Sequence, residues 1–289
     1  MKKNKFIYIL SLIIIIITTG CLEKSSMENA NIKVSAYPIE YVTEKLYGEH
    51  SEIKSIYPND MNDEYIVTDK LLKDYSNADL FIFNGNEEKE NDYFYKMLEE
   101  NNKLKIIDAT ESISYENSIE ELWLDPMNLL TIANNIKKGF KEYTNVTMLN
   151  NDIDKNYADL KVELIQIEAD YRDMATRANN KTIIVGNDLF SYLEKYDINV
   201  ISLEESDKLT QKDIHTAENL IKDGEINIIY VKKGSKINNT IQKLKDEYNV
   251  EIVELHSLYT ISEEDRKMNK DYKIIMYENL ELLKQQLYN

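Results

Sequence analysis

The chain has 289 residues, 35 Lys and Arg against 52 Asp and Glu, a formal net charge of −17 and a single cysteine. This balance excludes a nucleic-acid surface, which needs a basic patch, and a lone cysteine excludes an internal disulfide, so stability must come from packing. A strongly acidic surface also raises the local concentration of cations.

The first element is a leader. Met1-Lys2-Lys3-Asn4-Lys5 precedes an apolar run over 6–17 broken only by Ser11, and the run ends at Thr18-Thr19-Gly20-Cys21. A basic start, a short apolar stretch and a small residue before the cleavage point are the marks of a signal peptide. The run is well short of the roughly 20 residues that a membrane-spanning helix needs. Gly20 before the sole cysteine points to a lipoprotein site, with Cys21 becoming the lipid-carrying first residue of the mature chain. An uncleaved anchor with an incidental cysteine is the competing reading. Under both, the rest of the protein works outside the cytoplasmic membrane, and under the first it is held to the outer face by lipid on Cys21.

Short β-rich runs then alternate with helical patterns. In the first half they are IKVSA (32–36), EIKSIY (52–57), DLFIF (79–83) and LKIID (104–108), separated by amphipathic stretches near 39–47, 68–76 and 88–100. A second set follows at TIIVGN (182–187), INVISL (198–203), INIIYV (226–231) and VEIVEL (250–255). Such alternation predicts parallel sheets covered by helices. The expected fold is α/β, with two Rossmann-like lobes, each a mainly parallel sheet flanked by helices, joined by one long connecting helix. That helix is expected from Ile153, Tyr157, Leu160, Leu164, Ile167, Tyr171 and Met174, whose steps alternate four and three and give one apolar face. A coiled-coil seam for a partner helix is the alternative, but the pattern stops at Ala178-Asn179-Asn180. The implied division is 1–21 signal peptide, 22–150 N-terminal lobe, 151–180 connecting helix and 181–289 C-terminal lobe. A stiff connector limits closure around a ligand to a small rocking motion.

Enzyme signatures are absent. The seven glycines form no phosphate loop, there is no G-x-S-x-G elbow, and the one cysteine is in the leader. Of the three histidines, His50 in a polar turn and His215 on a helix surface read as solvated side chains. His256 directly follows VEIVEL, and ligands of open parallel sheets gather beyond the carboxyl ends of strands. Asn187 ends TIIVGN, Asp63 lies after EIKSIY, and Glu121 precedes the helix starting near Asp125-Pro126, so two facing lobes would bring these groups to one cleft. A satisfied, partly buried histidine is the bland reading of His256.

Several stretches carry a family resemblance. SAYPIEYVTEKLYGE (35–49), the Ala-Asp-Leu and Asn-Gly elements of 57–90, ELWLDPMNLLTIANNI (121–136), NDLFSYLEKY (187–196) and YKIIMYENLELLKQQL (272–287) resemble the substrate-binding lipoproteins of zinc and manganese ABC importers. Trp-Leu-Asp-Pro and Asn-Gly in this order are specific, and the likeness covers nearly all of the mature chain. It implies a divalent metal as cargo, a membrane permease as partner, a monomer and no catalysis. It also implies where ligands stand: Asp63, Glu121 and Asn187 occupy positions of family histidines, and His256 occupies one that is usually Asp. Lys232 lies near a position where relatives carry an acid, and 109–120 is short and acidic rather than histidine-rich. Three oxygen ligands and one imidazole favour Mn or Fe over Zn, which prefers nitrogen and sulfur. Two readings stay open: the four residues bind a divalent ion, or the cage has lost its ion and the protein binds a non-metal ligand or acts as a cell-surface interaction or adhesion module.

Overall fold

The computed structural model describes residues 27–61 and 65–289. Eight strands form two four-stranded sheets of the same order, β2-β1-β3-β4 and β6-β5-β7-β8, with parallel pairing throughout. In the first sheet β1 (Asn31–Val34) lies between β2 (Glu52–Ser55) and β3 (Leu80–Phe83), with Ile32 opposite Ile53 and Leu80, and β4 (Lys105–Asp108) forms the far edge. In the second, β5 (Thr182–Val185) and β7 (Ile228–Lys232) are central, flanked by β6 (Asn199–Ser202) and β8 (Glu251–Leu255). The central strands read LFIF and IIYV because helices cover both faces and leave no water-facing alternation. All eight sequence-predicted strands are present, each within a residue or two of its expected place.

Helix starts follow their sequence signals. Asp125 accepts the amide of Met127 at 2.8 Å and Pro126 occupies the first turn of helix Pro126–Tyr143, so Leu-Asp-Pro is a cap. Thr210 and Asp213 form a reciprocal capping box at helix Gln211–Lys222.

Helix Thr147–Arg177 joins the lobes. Its predicted seam faces the protein: Ile153, Leu160, Leu164, Ile167, Tyr171 and Met174 are buried, and Tyr157 is half-buried. The seam meets helices Tyr37–Tyr47 and Pro126–Tyr143 of the first lobe, and the 3-10 helix Asp188–Tyr196 and helix Tyr272–Leu287 of the second. One continuous apolar cluster therefore runs from Val34 and Trp123 through Leu164 to Tyr230 and Leu255, while each sheet has a second cluster on its other face. Because the seam is covered by the chain's own helices, no partner helix is needed to bury it. Among the described residues no helix is long and apolar enough to cross a membrane.

Polar contacts also bind lobe to lobe. Arg266 makes a forked pair with Glu40 at 2.7 and 2.9 Å and donates to Asn59 at 2.8 Å. Tyr259 donates to Glu87 at 3.1 Å, and Lys195 reaches Asp125 at 2.5 Å and Glu168 at 2.7 Å. Beside Tyr259, the fully buried carboxyl of Glu90 accepts the Asn84 amide at 2.7 Å and the Tyr57 hydroxyl at 3.1 Å. Burial, reinforced by the neighbouring Glu87, holds Glu90 well above the usual carboxylate range.

Leu164→Ala should cost on the order of 2 to 5 kcal/mol in denaturant unfolding, the range for emptying a closed core site; a cost under about 0.5 kcal/mol would mean that the seam is not closed. Glu90 gives a pH test. The folded chain keeps its proton where the unfolded chain has released it, so stability falls as pH rises above about 4.3, the unfolded glutamate value, until the raised folded value is passed. Glu90→Gln, which cannot ionise, should flatten that slope and gain on the wild type above neutral pH. Parallel stability–pH curves for the two proteins would contradict this account.

Candidate functional site

In each sheet the strand order reverses between the first and third strand, β1 with β3 and β5 with β7. Backbones diverge beyond the carboxyl ends at such a reversal and leave a crevice for ligands. In the second lobe the crevice holds Gly186-Asn187 after β5 and, at the end of β7, Lys232 followed by Lys233-Gly234-Ser235. Together with the segment after β8, these β7-end residues line a cavity of about 360 Å³ that Asp60 and Met61 of the first lobe close from the other side. Its remaining walls are His256, Ser257, Tyr259, Thr260 and Ser262. Gly234 has φ +77°, a left-handed conformation glycine adopts without a Cβ penalty, and it lets the chain turn at the rim.

His256 is held from several directions. Its amide donates to Asn279 Oδ1 at 2.9 Å, and Asn279 Nδ2 returns a bond to its carbonyl at 2.8 Å. Its ring Nδ1 accepts the Leu258 amide at 2.9 Å. Burial first, and the Lys233 ammonium second, push the imidazole down to about 4, so the ring is neutral. A neutral ring whose Nδ1 lone pair is engaged carries its proton on Nε2. The ring therefore presents an N–H, with Asp265 Oδ2 3.8 Å away. Burial opposes ionisation of Asp265, but Ser262 and Lys233 outweigh it and its carboxyl lies below the usual range. Lys233 stands 3.2 Å from that carboxylate.

Glu121 is only 9% exposed. Its two oxygens accept the amides of Glu116 at 3.0 Å and Asn117 at 3.2 Å, which ties down the acidic loop before the tryptophan. Asn187 Oδ1 accepts the Lys232 amide at 2.8 Å and bridges the crevice between β5 and β7. Lys232 Nζ in turn lies 3.5 Å from Glu120. Asp63 and Cys21 lie outside the described residues. The structure thus gathers Asn187, Lys232 and His256 around the end of the second sheet and reaches Glu121's neighbour through Lys232. Among the described residues, no three His, Cys, Asp or Glu side chains form a group that could hold a metal.

Two histidine expectations come out differently. His215 is exposed on its helix as expected. His50 is not simply solvated: its side chain is 13% exposed, lies tilted against the Tyr47 ring with centroids 5.2 Å apart and approaches Asp152 at 3.3 Å, because the turn folds back onto the connecting helix. Sequence reasoning missed Lys233, Asp265 and Asn279. Lys233 was within reach of the strand-end argument that found His256. Asp265 sits three residues after its capping Ser262, a visible cap signature, but nothing local shows that it faces Lys233.

The indole of Trp123, 1% exposed, donates to the Ser257 carbonyl at 2.9 Å, and Tyr272 donates to the Trp123 carbonyl at 2.7 Å. The Glu-Leu-Trp-Leu turn thereby positions the residue next to His256 from across the lobes.

Comparison with known proteins agrees with this architecture. The model of the ZnuA family, "Zinc-uptake complex component A periplasmic", matches residues 32–286. The zinc-binding protein AdcA of Streptococcus pyogenes is 26% identical over 170 residues, which cover 56% of this chain and 32% of that protein, so the match spans about a third of the curated relative. The Zn(II)-bound ZnuA-like domain of Streptococcus pneumoniae AdcA superposes with a TM-score of 0.73 at 20% identity, covering 90% of this chain and 100% of that one. The metal-dependent lipoprotein YcdH of Bacillus subtilis gives 0.73 at 18% identity, covering 89% and 99%. The laminin-binding protein Lbp of Streptococcus pyogenes gives 0.69 at 19%, covering 90% and 99%. At these identities the structures establish the two-lobe fold. With the family model matched along nearly the whole described chain, the protein belongs to the ZnuA family of zinc-uptake components, which are substrate-binding proteins and not enzymes.

Proposed function

We propose that this protein is the extracytoplasmic binding component of an ABC importer, taking a divalent transition-metal ion in the cleft between its lobes and delivering it to a membrane permease. The observation that carries this reading is the cavity at the end of the second sheet, closed by the first lobe, in a chain matched to the family over residues 32–286. The ligand set is Asp63, Glu121, Asn187 and His256. Loading has a structural cost at His256, whose proton must move from Nε2 to Nδ1 and displace the Leu258 amide, whereas each oxygen of Glu121 and Asn187 Oδ1 keeps a second lone pair beside the amide it accepts. Three oxygens and one nitrogen keep the preference for Mn or Fe, whereas the two AdcA relatives named above are described with zinc.

A second reading rests on those same commitments. With His256 Nδ1 engaged by the Leu258 amide and its proton on Nε2, and with Lys232 and Lys233 in the cavity wall, the cleft suits a non-metal ligand or a surface interaction role as it stands. Calorimetry and metal analysis on the detergent-solubilised full chain separate the two. The metal reading expects saturable binding of Mn, Fe or Zn, its loss in Glu121→Ala, and a shift toward zinc when Asp63, Glu121 and Asn187 are all changed to His. Absence of heat and of thermal stabilisation with every divalent ion would leave the non-metal reading.

The lipid anchor on Cys21 belongs to the same proposal. Cys21→Ser should leave an unprocessed precursor or release the protein from membranes. Normal processing with unchanged membrane fractionation of the variant would remove the anchor from the model.

A further inference from the structure

The two lysines at the end of β7 are placed differently. Lys233 stays within its own lobe, 3.2 Å from Asp265. Lys232 crosses the cleft: its ammonium lies 3.5 Å from Glu120 Oε1 of the first lobe, with side chains only 18% and 10% exposed. The root of this lysine is fixed. Its amide donates to Asn187 Oδ1 at 2.8 Å, and its carbonyl accepts the Ser235 amide at 3.0 Å and the Ser235 hydroxyl at 2.7 Å. Glu120, one of the partners of Lys232, is fixed as well. Its carboxylate accepts the Ser118 hydroxyl, and its carbonyl accepts the amides of Trp123 at 3.1 Å and Leu124 at 2.8 Å, so it opens the same turn that carries Glu121. Lys232 is therefore bonded to one candidate ligand, Asn187, is paired with the chain neighbour of a second, Glu121, and lines one cavity with a third, His256.

We propose that Lys232 is the specificity-determining residue of the cleft: its ammonium is a tethered cation that bridges the lobes among the candidate ligands, and a cargo ion enters only by displacing it from Glu120. This rests on the metal reading given above and adds a charge selection to it. Like charges inside a walled cleft are poorly screened and repel, so an ion beside Glu121 and Asn187 cannot share the cleft with the ammonium at no cost. The flexible four-carbon stem of lysine lets the ammonium swing away while the root stays bonded. A monovalent ion brings no more charge than it displaces, and it competes with a cation that the chain already holds in place. A divalent ion brings twice that charge. Lys232 thus excludes monovalent ions and lowers the affinity for divalent ones.

The test is calorimetry of Mn²⁺ and Zn²⁺ on the detergent-solubilised full chain, as wild type, Lys232→Met and Lys232→Arg. Lys232→Met, which keeps an unbranched stem without the charge, should bind these ions about tenfold or more tightly than the wild type, and Lys232→Arg, which keeps the charge, should stay close to it. A gain of affinity is a change that a damaged fold does not produce. If Lys232→Met does not fold, the wild type alone supplies the measurement: acylation of the Lys232 amine, followed by mass spectrometry, should run faster in the metal-saturated protein than in the metal-free one, because loading frees the ammonium from Glu120. Equal affinities in wild type and Lys232→Met, or acylation that metal leaves unchanged, would overturn the role of Lys232 while leaving the metal reading standing. No binding of either ion by any of the three proteins would overturn the metal reading and the competition together.

Discussion

The arrangement depends first on one buried hydrogen bond, from the Trp123 indole to the Ser257 carbonyl. An indole N–H sealed from water costs free energy unless it finds an acceptor. Here the acceptor belongs to the opposite lobe and is adjacent in sequence to His256. The first lobe therefore sets the height of the loop that carries the second lobe's imidazole. Tyr272, itself fully buried, bonds the carbonyl of the same tryptophan and locks the C-terminal helix to the turn. Asn279, two turns further along that helix, then clamps the backbone of His256. A shift of Trp123 would be passed to the imidazole through both routes.

This coupling also limits motion. A hinge that opened the cleft widely would have to break the Arg266–Glu40 fork, the Tyr259–Glu87 bond, the Lys195 pairs and the continuous apolar cluster through Leu164. Bistable closure is favoured where few contacts cross, and here many do. The physical outcome is a preset cleft that rocks by small side-chain and loop adjustments.

Much of the fold was legible because it follows from periodicity. Val, Ile and Phe runs between helical patterns can only be covered strands, and a seam of alternating four- and three-residue steps can only be buried along one face. The placement of His256 was legible for a topological reason, since a residue just after a parallel strand must lie at the ligand edge. What the side chains do there was not legible. Glu121 stands where a ligand was expected, yet the backbone of residues 116 and 117 turns its amides toward the carboxylate, and only the loop's path decides that. The tautomer of His256 depends on the Leu258 amide, two residues away in sequence but positioned by the Trp123 contact from the other lobe. Lys233 has a meaning only beside Asp265, thirty-two residues distant.

The same separation between global and local applies to charge. A net charge of −17 describes the field far from the surface, where it draws cations toward the protein. Inside the cleft the nearest charges decide, because salt screens exposed charges beyond roughly 8 to 10 Å while a walled cavity is screened less. Among the described residues those nearest charges are the ammoniums of Lys232 and Lys233, the carboxylates of Asp60, Glu120 and Asp265, and a ring kept neutral by burial and by Lys233. A cation approaching through the acidic outer field therefore meets charges of both signs at the last step, each ammonium standing beside a carboxylate.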